Sequence, residues 1–175
     1  MGADRRAAGA ERIYAAAAEL IARDGFDQLD IESLAKMAHC SRATLYRHVG
    51  GKAQILEQVL ARNARRISQT VLAAVEGLAP DDRVIEAIVV AMREIRSDGV
   101  MAQLLASRRQ RDLAIFINSA TIASFATENT GLDTADGMAG QWITRVIFSM
   151  LLWPGADLET EAEMLRRFVR PAFTG

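Results

Sequence analysis

Apolar residues in this chain recur three and four positions apart almost from end to end. Each run is stopped by a glycine, a proline or a capping residue. Strict two-residue alternation, the mark of a half-buried strand, is nearly absent. "ERIYAAAAELIARDGF" puts Ile13, Ala16, Ala17, Leu20 and Ile21 on one helical face and stops at Gly25, a left-handed C-cap. Asp30 caps "IESLAKMAH", with Ile31, Leu34, Ala35 and Ala38 inward. A short helix from Arg42 to Val49 ends at Gly50-Gly51, and a longer fourth helix runs from about Lys52 to Glu76. Gly77 and Pro80 then mark the clearest internal boundary. Beyond them, helices are expected over "DDRVIEAIVVAMREIRSDG", Val100 to Ser107, Arg109 to Asn129, "DTADGMAGQWITRVIFSMLLW" and "DLETEAEMLRRFVRPAF". The last has acids in its first turn and Arg166, Arg167 and Arg170 towards its end, as the helix dipole favours. The fold class is all-α, with about nine helices and no sheet.

Charge is distributed unevenly. Net charge is -1, yet residues 1–66 carry 11 Lys/Arg against 8 Asp/Glu, and residues 67–175 carry 10 against 14. Within residues 33–66 there are seven cations and one acid, Glu57. The single cysteine, Cys40, excludes an internal disulfide framework and a multi-cysteine zinc site. The polar N-terminus has no apolar signal core, and no apolar run is long enough to span a bilayer. The expectation is a soluble cytoplasmic protein with no membrane partner.

The basic charge centres on "AHCSRATLYRHVGGK", residues 38–52. Two short helices joined by a three-residue turn describe a helix-turn-helix. At 100° per residue Leu45 and Val49 face inward, while Ala43, Thr44, Tyr46 and Arg47 fan across the opposite and flanking arc. Arginine can bond guanine edges or phosphates, threonine offers a hydroxyl or methyl, and a small residue admits the backbone. Lys52 adds a cation at a helix N-terminus suited to phosphate. The bland alternative is a surface helix that happens to be basic.

The stretch from about Ala10 to Leu60 resembles the DNA-binding domain of the TetR family of bacterial transcriptional regulators. The shared features are Gly25-Phe26 closing the first helix, a capped second helix, Ser41 leading the turn, Thr44-Leu45-Tyr46 with His48, and Lys52 opening the fourth helix. The resemblance implies that Ser41, Arg42 and Thr44 meet bases or backbone, that Tyr46 and Lys52 hold phosphates, and that Arg47 and His48 lie on or beside the groove-facing surface. With Ala43 these form the expected DNA-binding set. The family usually has Gly-Val where this chain has His39-Cys40, and an aromatic where Val49 stands. A basic residue is frequent at Glu32, which is therefore given no phosphate contact. The expected organisation is a DNA-binding domain over 1–51, a connecting helix over 52–76 and a ligand-binding and dimerisation domain over 77–175.

His39, Cys40 and His48 are the alternative reading of the basic stretch, as a metal site or activated thiol. The side chains of neighbouring His39 and Cys40 diverge and no fourth ligand is near, so no metal is assigned. Cys40 fits better as a small apolar residue under the turn, with redox sensing a minor alternative. If His39 replaces a left-handed glycine, it bears strain. No phosphate-cradling glycine loop, His-Glu metal motif or nucleophile elbow occurs, and no histidine or cysteine follows Gly77. Neither an enzyme nor a cofactor is expected.

The second half suggests two further surfaces. Met92, Ile95, Met101, Leu104, Leu105, Phe116, Ile122, Phe125 and Trp142 could line an apolar cavity, with Asn118 and Thr121 as orienting groups for a small apolar effector. Plain core packing explains any one of them equally well. "SRRQR", residues 107–111, reads as solvated, or as a partner for an anionic ligand group. Gly137 and Gly140 permit close helix approach. Ile143, Val146, Ile147 and Met150 follow them, and Leu165, Phe168 and Val169 add a second stripe. The resemblance implies a homodimer joined through the last two long helices, which suits a palindromic double-stranded DNA operator. It also implies a repressor released by ligand. An activator, a ligand-independent DNA-binding regulator, or a small-molecule binder without DNA binding are the alternatives.

Overall fold

The computed structural model describes residues 2–106, 110–132 and 137–173. Regular structure among them is helical: α1 Gly2–Asp24, α2 Ile31–Met37, α3 Arg42–Val49, α4 Lys52–Ala74, α5 Pro80–Ser97, α6 Gly99–Ala106, α7 Gln110–Ile117, α8 Ala120–Thr130, α9 Gly137–Leu152 and α10 Leu158–Met164. A five-residue π-helical turn, Leu165–Val169, and a 3-10 turn, Arg170–Ala172, continue α10. No described helix is long and apolar enough to cross a membrane.

The single helix expected over 109–129 is two. Asn118 and Ser119 break it. The Asn118 side-chain amide donates to the Ala114 carbonyl at 2.8 Å, and the Ser119 N–H donates to Phe116 at 3.1 Å. Ser119 then takes an extended conformation, φ −66° and ψ 126°, from which α8 starts. Short polar side chains compete for helix backbone groups in this way, and two in succession favour a break. Of the SRRQR segment, residues 107–109 lie outside the described residues.

The chain divides into two compact units, residues 1–63 with 98–107, and 64–97 with 108–175. In the first unit Ile21, Leu34, Leu45 and Ile55 are fully buried in one core shared by α1, α2, α3 and α4. α6 joins this unit through Val100 and a close approach to α1, where a methyl on Gly99 would stand 2.9 Å from Ala22 Cβ. Asp98 accepts from the Met101 N–H at 2.8 Å and from the Asn63 amide at 2.9 Å, tying the start of α6 to α4.

α5 is the central helix of the second unit. It buries Val84, Ile88, Met92 and Ile95 against α8, α9 and the last helical turns. Its Arg83 reaches the end of α8, donating to the carbonyls of Asn129 and Glu128 at 3.1 Å each. The last carbonyls of a helix lack donors four residues on. Glu128 also accepts the Gly131 N–H at 3.2 Å, and the arginine adds a side-chain donor to both, closing the end of α8. Arg96, in the last turn of α5, forms a two-point pair with Glu161 of α10, at 2.7 and 2.8 Å.

Candidate nucleic-acid interface

The local chemistry of residues 30–54 produces two short helices with well-satisfied ends. Asp30 caps α2 by accepting from the Ser33 N–H at 2.8 Å, and that bond holds its carboxyl below the ordinary range. Ser41 caps α3 in the same way, accepting from the Thr44 N–H at 3.1 Å and donating to the Thr44 hydroxyl at 2.9 Å. Gly50 closes α3 at φ 79°, and the Gln54 side chain returns to accept from the Gly51 N–H at 2.8 Å. This is half of a capping box opening α4. A side chain at Gly50 would displace the flexible end of Gln54 from this cap, but it is the positive φ that calls for glycine there.

The turn between the helices contains the chain's non-glycine residue with positive φ, His39 at φ 52° among the described residues. The His39 N–H donates to Lys36 at 3.1 Å and the Cys40 N–H to Ala35 at 3.0 Å. These two bonds make a Schellman motif, whose left-handed position normally holds glycine. His39 therefore bears the strain expected of a residue standing in for glycine. A left-handed L-residue costs about 1–2 kcal/mol, part of which glycine gives back through its greater freedom when unfolded. His39→Gly is accordingly expected to stabilise the protein by about 0.5–1 kcal/mol. Urea unfolding checks this: the midpoint should rise with an unchanged slope. A lower midpoint would mean the exposed imidazole makes a compensating contact. Cys40 is half-buried and packs on the first unit's core, as a small apolar residue does.

α3 presents the expected two sides. Leu45 and Val49 are buried, while Ser41, Arg42, Ala43, Tyr46, Arg47 and Lys52 are exposed, and Thr44 is half-exposed. No acid stands in the first turn of α3 or of α4, leaving the positive ends of both helix dipoles uncompensated by their own sequence. Lys52 Nζ donates to the Asp27 carbonyl at 3.2 Å, which holds the ammonium beside the start of α4. His48 is half-buried against α1: a methyl on Gly9 would lie 3.0 Å from its Cε1. Its ring thus spaces α1 from α3 as well as flanking the basic face.

Two contacts escaped sequence reading. Glu32, in the first turn of α2, pairs with Lys36 at 3.2 Å and with Arg42 at the start of α3. Both cations hold its carboxyl below the ordinary range, Lys36 the more strongly. The Lys36 pair has visible four-residue spacing, but Arg42 lies ten positions on and carries no local signal. Likewise Arg62 of α4 pairs with Glu11 and sits 4.3 Å over the Tyr14 ring, fixing α4 against α1.

The other expected site residues are placed differently. Met92, Ile95 and Phe116 are buried in the second unit, whereas Met101 and Leu104 are buried in the first and Leu105 is half-buried there. The expected cavity lining is therefore divided between units. Ile122 and Phe125 are half-buried, and Thr121 is exposed. Asn118 is exposed, and its amide is engaged at both ends, donating to Ala114 and accepting from Arg145 at 2.7 Å. These bonds tie it to the end of α7 and to α9. Trp142 is 43% exposed and stacks obliquely on Phe173 with ring centres 5.7 Å apart. A cavity of about 370 Å³ in the second unit is lined instead by Ala74, Leu78, Asp82, Ile85, Glu86, Arg166 and Arg170.

The residues expected at the dimer face differ in exposure. Gly140, Ile143, Ile147, Leu165 and Val169 are buried by their own chain, because α8 and α5 cover those sides of the last helices. Val146 and Met150 are half-buried, Gly137 opens α9, and Phe168 is 69% exposed. The apolar surface left open is carried by Met138, Trp142, Trp153, Leu158, Met164 and Phe168. Most of these fall outside the sequence-derived stripe.

Comparison with known proteins places this arrangement. Residues 13–59 match the model of the bacterial regulatory proteins, tetR family. The chain is 24% identical to an HTH-type transcriptional regulator of Mycobacterium tuberculosis, across 99% of this chain and 90% of that one. It is 36% identical over 48 residues, 27% of this chain and 25% of the relative, to the DNA-binding transcriptional repressor TetR of Mycobacteroides abscessus. Its fold matches the crystal structure of the TetR family repressor AlkX from Dietzia sp., implicated in biodegradation of n-alkanes, with a TM-score of 0.62 and 15% identity over 93% of both chains. The family match covers α2, the strained turn and the acid-free α3, the same residues that build the basic face. Residues 13–59 are a DNA-binding domain of the tetR family, and the chain as a whole is similar in sequence and fold to transcriptional regulators that carry it.

Proposed function

We propose that this regulator is a cytoplasmic homodimeric repressor that reads a palindromic operator with one α3 from each copy. The observation that carries this reading is the exposed, acid-free arc of α3, with Ala43, Thr44, Tyr46 and Arg47 opposite the buried Leu45 and Val49. Arg47 points most directly away from the seam and is assigned to base edges. Ser41, Tyr46 and Lys52 are assigned to phosphates, and His48 to the flank. Residues 1–51 form the DNA-binding part, 52–76 the connecting helix and 77–175 the effector and dimer part. The open apolar surface of α9 and α10 supports a second copy as its cover, since exposed large apolar groups in that density mark association sites. The effector is a small apolar molecule that releases DNA by favouring a dimer with wrongly spaced readers. The n-alkane context named for the Dietzia repressor supports that choice of ligand class. No catalytic activity is assigned.

Duplexes enriched from a random library by the wild-type protein provide the test. Arg47→Ala should lower affinity for the enriched duplex about 5- to 150-fold and relax its sequence preference. Lys52→Ala should weaken binding to all duplexes and reduce the salt slope by about 1. If neither variant changes affinity or salt dependence, α3 is not the reader. Sedimentation of a monomer at micromolar concentration would remove the dimer.

A further inference from the structure

We infer that Glu32 is a specificity-determining positioning residue, which holds Arg42 as a base reader rather than a phosphate contact. The inference rests on the DNA-reading role of α3. Glu32 stands in the first turn of α2, and Arg42 is the first residue of α3. One carboxylate oxygen takes Lys36 Nζ at 3.2 Å, and the other takes Arg42 Nη2. All three side chains are more than half exposed, so the network sits at the solvent-facing mouth of the helix-turn-helix rather than in its core. As a fold-stabilising device it is worth little, because exposed pairs of this kind contribute about 0–1 kcal/mol.

Its effect on recognition is larger. At 100° per residue Arg42 lies on the flank of α3 nearest the Leu45/Val49 seam, well away from the outward centre occupied by Arg47. A free arginine there would sweep a wide arc and settle on the nearest phosphate. With Nη2 held on Glu32, the guanidinium plane is fixed and its charge is locally offset. An offset charge gains little from a phosphate. The remaining N–H groups keep their direction, and directional donors are what the O6 and N7 acceptors of guanine select. The N-terminal end of a recognition helix is also where base edges come within reach. Lys36 takes the other oxygen, so the oxygen that holds Arg42 keeps that contact whether or not Lys36 is charged.

Charge alone predicts the opposite consequence for Glu32. An acid beside a DNA-binding face repels the duplex, so its removal should tighten binding to every sequence without altering preference. Selection from a random duplex library separates the two. The wild type, Glu32→Gln, Arg42→Ala and Lys36→Gln are each carried through selection. The enriched duplex is then measured against a scrambled one over a salt series. The inference expects Glu32→Gln and Arg42→Ala to lose the same guanine positions in the motif. It expects the enriched-to-scrambled affinity ratio to fall about 5- to 150-fold in both. Freed Arg42 should turn to a phosphate in Glu32→Gln, steepening its salt slope by about 0.9 per half-site. Lys36→Gln should keep the motif. A Glu32→Gln motif identical to the wild type, or loss of the same positions in Lys36→Gln, overturns the inference. A wild-type protein that enriches no sequence overturns the DNA-reading role as well, which distinguishes the two failures. Circular dichroism of each variant confirms that the helices are retained.

Discussion

Truncating Arg96 to alanine should destabilise the protein by about 3 kcal/mol at neutral pH, the lower end of the cost of breaking a buried ion pair. Glu161 is 3% exposed, and its carboxylate takes both guanidinium arms of Arg96, plus the Gly155 N–H at 3.0 Å. Without Arg96 one backbone donor remains for a full buried charge. The Arg96 side chain is 29% exposed, which keeps the cost below that of a fully enclosed pair. What is lost is the attachment of α10 to the end of α5. That attachment also positions the following turns, where Leu165 is buried and Phe168 is left outward.

The pH dependence gives the sign. The Arg96 hydrogen bonds hold the Glu161 carboxyl below its ordinary value, against the opposing effect of burial. A depressed carboxyl contributes stability that is fully present above its unfolded value and is lost as pH falls through the folded one. In Arg96→Ala the same carboxyl is buried without its partner and moves upward, so protonation relieves the variant first. The wild-type advantage should therefore be full at pH 7 and narrow steadily into the acid range. Urea midpoints for both proteins at several pH values check this. A gap that stays constant on acidification would mean that Arg96 acts through packing of its stem rather than through charge.

How much of this was legible beforehand depended on sequence distance. The helix-turn-helix was readable because its determinants are local. Asp30 and Ser41 act within three residues, and the Leu45/Val49 seam is a four-residue spacing. Even the strain at His39 could be asked of the sequence, since it concerns one residue in one turn. The Glu32–Arg42 pair joins residues ten apart, and Arg96–Glu161 joins residues 65 apart. Nothing local marks either. The second half was harder for a further reason. An apolar face looks the same whether it meets its own chain, a ligand or a second copy. Ile143 and Phe168 carry the same periodic signal, yet one is fully buried and the other mostly exposed. Only the placement of α5 and α8 separates them.

Gly140 makes that distinction testable, because both readings of it expect damage from a substitution. In the structure a methyl on Gly140 would lie 2.2 Å from Thr127 Oγ1 and 2.3 Å from the Ala123 carbonyl oxygen, both on α8. The Thr127 hydroxyl is itself bonded to that carbonyl at 2.9 Å, and Thr144 bonds back to the Gly140 carbonyl at 2.8 Å. The buried threonines thus satisfy their hydroxyls within their own helices, leaving the helix surfaces free to meet closely. Since the obstacle includes backbone, Gly140→Ala must part α8 from α9. Alanine gains about 1 kcal/mol of helix propensity over glycine, and overpacking costs typically 1–3 kcal/mol, more against rigid backbone. A net loss of about 2 kcal/mol is expected. If Gly140 serves its own chain, that loss should also appear at the lowest concentrations, where any dimer has dissociated. If it instead serves a partner helix, the loss should shrink on dilution, because a dimer's apparent stability follows protomer concentration by mass action. Thermal unfolding of both proteins across a hundredfold concentration range therefore decides which surface the glycine belongs to. A variant as stable as the wild type throughout would show that neither close approach needs it.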